Sequence, residues 1–513
     1  MSSNIVFILV SIAFCFVMIS VTYSANKSTH PKALFLLFFT EMWERFSFYG
    51  MKALLMMYMT KVLFKEFSDG DTRAQGIAAA YLSLVYVMPF FGGIIADRML
   101  GFRKSIILGG ILMSIGHFVL AIPSETTFYL GLAFMICGNG FFKPNISSFV
   151  GKFYLENDLR RDAGFSIFYM GINIGALLGG AICGYLGAEI SWHLGFGLAG
   201  AFMLLGVFVF ISFKKVLEDK GYPPVQDTLT KSTPVGLNLE TSIYLGAFLL
   251  VPIFLVLVQN NDVMDYIMNP IGVIVLLYLI FLALKEEKVA REKMFAALIL
   301  ICLSIVFFAF FEQGGTTLNL YADRNVNMHG LSSTMVNNAV NPYWIVLMAP
   351  VFGALWQFLG KRNLEPNIPV KFGLSFLQVA AGYYLFILGG KVAGSSGMVP
   401  LFYFVVGYFF LSTAELCISP IGLSMVTKLS PKNIVGMMMG TWFLASAFGQ
   451  FFAGKIGKMM AIPTEDGLSS IPATESLAVY SGVFMQIVWI CVFGGIAVLL
   501  VSPFIKKWMH EVK

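Results

Sequence analysis

The chain has 513 residues, 58% of them hydrophobic and 12% charged, with a mean hydropathy of +0.80. Soluble domains carry about 25% charged residues, so a soluble enzyme is excluded, and continuous rather than alternating apolar runs exclude a transmembrane β-barrel. The formal net charge of +6 reflects where Lys and Arg sit along the chain and does not indicate an acidic partner such as a nucleic acid.

Apolar runs of about 20 residues recur from end to end, each able to cross a ~30 Å hydrocarbon core as a helix. The first, residues 5–24, lacks a basic flank and a small-residue cleavage site, which weakens a signal-peptide reading. It reads either as an additional helix or as sequence upstream of an internal start such as Met18, so residues 1–31 are set apart. Spans follow at Ala33–Met59, Gly76–Ile95, Ser105–Ile122, Phe128–Val150, Gly164–Leu186 and His193–Phe213, a six-helix bundle over 32–213. A polar segment containing Pro223 and Pro224 marks a boundary. The linker 214–293 then carries two extra runs, Ser242–Gln259 and Pro270–Lys285. A second six-helix bundle, 294–513, has runs beginning at Phe295, Val340, Val370, Val399, Ile434 and Ala478. The fold class is an all-α polytopic membrane protein.

Charge asymmetry sets the orientation. With the segment before Ala33 cytoplasmic, the inner loops hold Arg98, Arg103, Lys104, Lys152, Arg160, Arg161, Lys361, Arg362, Lys371, Lys428, Lys432, Lys506 and Lys507. The opposite side holds fewer bases, among them Lys61, Lys65, Arg73, Arg324, Lys391, Lys455 and Lys458. All six cysteines lie inside apolar runs with no close pairing, so they read as small core residues and not as disulfides or metal ligands. His117, the one histidine well inside a span, reads as a packed residue.

One span is anomalous. "TEMWERFSFYGMK", Thr40–Lys52, lies between strongly apolar flanks, where a charge at the bilayer centre costs between ~2.5 and more than 10 kcal/mol. On a helix Glu41, Arg45, Phe48 and Lys52 form one stripe with Glu44 at its edge, so the stripe must face a polar cavity. Two acids beside one guanidinium leave one carboxylate poorly compensated. The proton carrier is expected to be Glu44, alone or shared with Glu41, with Arg45 released to the substrate on protonation. By depth, Lys52 and Glu312 both lie toward the outer side, while Lys143 and Glu415 lie toward the cytoplasm. Pro144 and Pro420 follow the latter two closely and loosen the backbone where helices must bend. Four intramembrane acids, Glu41, Glu44, Glu312 and Glu415, face three bases, Arg45, Lys52 and Lys143, so a zwitterion can replace internal partners without leaving charge unpaired. No GxxxxGK[ST] loop occurs, which argues against ATP as the energy source. A membrane potential instead supplies ~2.3 kcal/mol per charge per 100 mV.

These segments resemble known ones. "GGIIADRMLGFRK", Gly92–Lys104, resembles the loop between the second and third helices of the major facilitator superfamily, with Asp97 set near a helix beginning at Asn433. Glu41-x-x-Glu44-Arg45-Phe46 with Tyr49-Gly50, then "FFKPN", "FYMGINIGA", "FFEQGG" and "AELCISPIGLSMVTKLSP", resemble in order the motifs of the proton-dependent oligopeptide transporter (POT/PTR) family, from His30 to Trp508. Phe48, Phe308 and Lys52 depart from that pattern, which expects Tyr, Trp and Arg there. The resemblance implies a major facilitator fold with two added central helices and a substrate site near the midplane. It implies proton-coupled import of di- and tripeptides by a monomer in the cell (inner or plasma) membrane, without catalysis and with no cofactor besides the coupling proton. Proton coupling falls to Glu41, Glu44, Arg45 and Glu312. Substrate binding falls to Arg45, Tyr49, Lys52, Tyr86, Lys143, Asn173, Asn341, Glu415 and Trp442. The gate pairs are Lys52 with Glu312 on the outer side and Lys143 with Glu415 on the inner. The alternative is a symporter of another small solute, such as nitrate, an amino acid or a peptide-like conjugate. Glu415, fit to hold an ammonium, argues against a simple anion.

The orientation is directly testable. Cysteine placed at Asp158 should react with an impermeant maleimide only from the cytoplasmic side, and one at Ser124 only from outside; the reverse pattern inverts every gate.

Overall fold

The computed structural model describes residues 2–155, 158, 160–224, 229–231, 236–431 and 434–512; Lys432 and Asn433, the expected neighbour of Asp97, lie outside them. The runs read as spans all form helices. The first is α1 (Ser3–Asn26), capped by the Ser2 side chain. The first bundle follows as α2 (Lys32–Tyr58), α3 (Gly70–Ile95), α4 (Gly101–Leu120), α5 (Glu125–Gly151), α6 (Arg161–Tyr185) and α7 (Trp192–Ser212). The two linker helices are α8 (Leu239–Gln259), capped by the Asn238 side chain, and α9 (Val263–Lys285). The rest comprises α10 (Lys288–Phe311), α11 (Thr317–Asn325), α12 (Ser333–Lys361), α13 (Ile368–Ala393), α14 (Leu401–Leu416), α15 (Ser419–Leu429), α16 (Val435–Met459) and α17 (Ala473–Met509).

Two expected single spans are broken. The run from Phe295 stops at Phe311, where Glu312–Gly315 tightens into a 3₁₀ turn before α11. The run from Val399 stops after Leu416 and restarts with Pro420 in the first turn of α15, because proline cannot donate to the helical ladder. Pro144, in contrast, lies inside an unbroken α5. The only strands among the described residues are two short pairs, Val326–Asn327 with Val399–Pro400 and the hairpin Thr464–Glu465 with Leu468–Ser469. The hairpin turns through Asp466 and Gly467, both at positive φ, as a two-residue Asp-Gly loop requires.

The chain forms two compact units. The first comprises Met1–Tyr58, Leu84–Asn260 and Gly330–Ala339; the second comprises Met59–Ser83, Asn261–His329 and Val340–Lys513. Each therefore includes a piece of the other half of the sequence.

In the first unit α2 is buried along almost its whole length, with α6 and α7 as its main neighbours. Gly171, Gly175 and Gly179, at a spacing of four, make the stripe on α6 that admits α2. A Cβ on Gly175 would lie 2.2 Å from the Met42 carbonyl oxygen, and one on Gly179 would lie 2.3 Å from that of Phe46. Small residues that let backbones approach are the usual means of packing helices where lipid offers no hydrophobic drive. The α4–α5 crossing uses the same device, with Gly109 against Gly138 and Gly116 against Gly131. Ahead of α2, His30 hydrogen-bonds the Tyr154 hydroxyl through Nδ1 at 2.8 Å. Burial and then Arg160 hold its pKa below the ordinary value against the pull of Asp158, so the ring is neutral at pH 7. His117 is fully buried, as expected of a packed residue.

In the second unit α13 packs on α17 and α14, and α10 on α16. Its core holds Tyr321, Tyr383, Phe386, Phe404, Tyr480 and Phe484 in mutual ring contact, and the Tyr383 hydroxyl donates to the Phe310 carbonyl at 2.7 Å. Five cysteines are buried as expected, but Cys302 is exposed and departs from the core reading. It lies on an outward face of α10, where an apolar residue can meet lipid. Large exposed apolar side chains such as Leu249, Ile274 and Leu277 on the linker helices fit the same surroundings.

Gly175→Ala should destabilise the protein by about 1 to 3 kcal/mol, the scale of overpacking at a site with no room to relax. A thermal melt in detergent reads this directly, and an unchanged midpoint would show that the α2–α6 approach is loose.

Candidate functional site

Eleven helical segments among the described residues are long and apolar enough to cross a membrane by length and composition. Helix α2 is not among them, because no stretch long enough to span escapes Glu41, Glu44 and Arg45. All three are almost completely buried, at 1%, 0% and 2% exposure. The Arg45 fork closes on Glu44: Nη2 donates to Oε1 at 2.6 Å and Nε to Oε2. Glu41 receives less. Its Oε1 lies 3.2 Å from Arg45 Nε, while its buried Oε2 has no hydrogen-bond partner among the described residues. The two acids are therefore unequal, with Glu44 saturated by the guanidinium and Glu41 only half compensated.

Aromatic faces accompany the three intramembrane bases of this unit. The Phe48 ring lies 5.2 Å from the Arg45 guanidinium, Tyr49 6.0 Å from Lys52 Nζ, and Tyr86 4.3 Å from Lys143 Nζ. Phe48, a departure from the family pattern, thus keeps the function that needs only a ring. Lys143 stands close enough for its charge to act on both Glu41 and Glu44. Asn173 turns its amide to its own helix, donating to the Tyr169 carbonyl at 3.0 Å.

In the second unit Glu415 ends α14, where the helix dipole disfavours a negative charge. Asn341 on α12 offsets this by donating from Nδ2 to Glu415 Oε2 at 3.4 Å and to Ser412 Oγ at 3.0 Å. Trp442 lies over Gly422, where a Cβ would be 2.0 Å from the ring, and meets the edge of Phe308 at 6.3 Å. Glu312 opens the 3₁₀ turn, next to Gln313, which donates to the Ala453 carbonyl at 2.8 Å and accepts from Thr317 Oγ1 at 2.7 Å. The structure thus brings together Glu41, Glu44, Arg45, Tyr86 and Lys143 in one unit and Asn341 with Glu415 in the other. Lys52 and Glu312, like Lys143 and Glu415, belong one to each unit.

The sequence reading missed a second polar network in the second unit. Arg324 grips Asp71 with both terminal nitrogens, at 2.5 and 2.8 Å, and reaches the Tyr480 hydroxyl at 3.2 Å. Asp71 also accepts from the Ile462 amide at 3.0 Å. Nearby Lys61 bridges to Asp323 at 2.7 Å, and Gln75 donates to Thr317 at 3.1 Å. By the charge asymmetry this network lies at the outer end. Its partners are 253 residues apart in the case of Asp71 and Arg324, so no local spacing announces them.

Comparison with known proteins decides the lineage. Residues 103–477 match the model of the POT family. The chain belongs to the POT family. It is 35% identical to the uncharacterized transporter YclF of Bacillus subtilis (strain 168), over 94% of this chain and 96% of that one. It is 32% identical to dipeptide and tripeptide permease A of Proteus mirabilis (strain HI4320), over 94% and 97%. A crystal structure of a mutant peptide transporter POT in complex with alafosfalin superposes with a TM-score of 0.78 at 34% identity, covering 94% of this chain and 96% of that one. Membership makes this a multi-pass protein of the cell membrane with the major facilitator fold.

The Asp71–Arg324 pair makes a stability prediction. Arg324→Ala leaves a buried carboxylate without its cation and should cost about 3 to 5 kcal/mol, whereas the double Asp71→Ala, Arg324→Ala variant should lose less than the sum of the single changes. Additive shifts in a double-mutant cycle of melting would show the two groups to be independent.

Proposed function

We propose that this POT member is a proton-coupled symporter that imports di- and tripeptides by alternating access, as a monomer, with the proton as its only coupling species. No covalent bond is made or broken in this reading. The observation that carries it is the division of chemistry: one unit offers cations on aromatic faces, and the other offers Glu415 and Asn341. A peptide brings one carboxylate and one ammonium. The name of the Proteus relative, a dipeptide and tripeptide permease, supports the same substrate class, and nitrate has no use for Glu415.

The unequal hydrogen bonding of the two acids favours Glu41 over Glu44 as the proton carrier. With both acids ionised, Glu41 and Glu44 balance Arg45 and Lys143. A proton on Glu41 removes one negative charge while Glu44 keeps its fork on Arg45. The surplus positive charge then belongs to Lys143, which is half-buried and rests on Tyr86. A peptide carboxylate restores neutrality, so proton and peptide bind cooperatively. Lys143 takes the releasable role that the sequence reading assigned to Arg45. Pairing of Lys52 with Glu312 and of Lys143 with Glu415 as gates is part of the proposal and rests on their depth along the helices.

Glu41→Gln in proteoliposomes should abolish gradient-driven accumulation of labelled dialanine while leaving counterflow between equal peptide concentrations intact. Glu44→Gln should impair both, because Arg45 loses its fork. Normal driven uptake by Glu41→Gln would move the proton elsewhere, with Glu312 next in line. Absence of dialanine uptake by the unaltered protein would overturn the peptide reading.

A further inference from the structure

We infer that Ser412 is a positioning residue for substrate recognition: it turns the Asn341 carboxamide so that its oxygen, and not its nitrogen, faces the substrate. The inference rests on the peptide reading and adds a residue that neither the motif pattern nor the charge count singled out.

Ser412 is fully buried on α14, one turn before Glu415. Its Oγ accepts from Asn341 Nδ2 at 3.0 Å and donates toward the Asn341 main-chain oxygen at 3.5 Å, so both of its hydrogen-bonding roles serve the same residue. The second proton of Nδ2 goes to Glu415 Oε2 at 3.4 Å. A carboxamide has two N–H donors on one end and an acceptor oxygen on the other. With both donors spent on α14, Oδ1 is the end left for a ligand. Asn341 and Glu415 then present acceptors only, a pair suited to a group with several N–H bonds, and the free α-ammonium of a peptide supplies three. An N-acetylated peptide supplies a single amide N–H and brings a carbonyl oxygen that faces acceptors.

Without the Ser412 hydroxyl the amide loses its better-placed acceptor and can rotate. The flipped amide would offer N–H to an incoming N–H and withdraw its donor from Glu415. Ser412 therefore sets how sharply the site distinguishes a free from a blocked amino terminus, while making no contact with the peptide itself.

The test is equilibrium binding of dialanine and N-acetyl-dialanine to the purified protein at one fixed pH. Ser412→Ala should weaken dialanine about tenfold, the scale of one hydrogen bond, and N-acetyl-dialanine less than twofold, so the ratio of the two affinities collapses. Ser412→Thr, which keeps the hydroxyl, should restore the ratio. In an Asn341→Ala background, Ser412→Ala should have no further effect, since its action runs through Asn341. Equal losses for both ligands, or losses that add in the double variant, would overturn the inference and leave Ser412 a packing residue. Failure of the peptide reading looks different: the unaltered protein would bind neither ligand, or Glu415→Gln would leave dialanine binding unchanged, and either result takes this inference down with it.

Discussion

An ion cluster inside a membrane-spanning helix is tolerated only if its charges cancel and its polar atoms find partners within the protein. Helix α2 places Glu41, Glu44 and Arg45 within two turns, and its neighbours are shaped by that demand. Helix α6 gives up side chains at Gly171, Gly175 and Gly179 so that its backbone meets α2 directly. Helix α5 contributes Lys143, and the inner part of α3 contributes the Tyr86 ring that steadies it. Removing water from these charges strengthens their attraction. It also makes any change in their protonation costly unless a new charge arrives, and a substrate carboxylate is such a charge.

The second unit handles its half-buried acids by a different means. Glu312 and Glu415 both stand where a helix breaks, one at a 3₁₀ turn and one just before the Pro420 restart. Irregular backbone at membrane depth survives only when it is packed in protein or lines a polar cavity. A carboxylate at the end of α14 opposes the helix dipole, so it needs a donor from elsewhere, and Asn341 supplies one. That donor in turn fixes which end of the amide remains for a ligand. A constraint on burying charge thereby becomes a constraint on what the site recognises.

The Asp71–Arg324 network follows a third pattern. Asp71 sits in the first turn of α3, where the dipole favours an acid, and receives the Arg324 fork, the Ile462 amide and, through Arg324, the Tyr480 hydroxyl. Fully paired, such a group adds little net stability, but losing one partner exposes the full cost of the other.

Sequence alone determined the membrane class, the apolar runs that form helices, and the acids and bases that lipid would not tolerate without function, because hydropathy and helical periodicity are local properties. It also placed Glu41, Arg45, Phe48 and Lys52 on one stripe. It favoured Glu44, alone or shared with Glu41, as the proton carrier, because both acids are near Arg45 along the helix and only the rotamer of the guanidinium decides which receives the fork. It did not reveal that the turn at Glu312 divides a span, that Cys302 faces outward, or that Lys143 lies near the α2 acids. Asp71 with Arg324 and Asn341 with Ser412 were illegible for one reason: their partners are 253 and 71 residues apart. Hydrogen bonds between distant segments leave no period in a sequence, and only the packing of helices brings such groups within 3 Å.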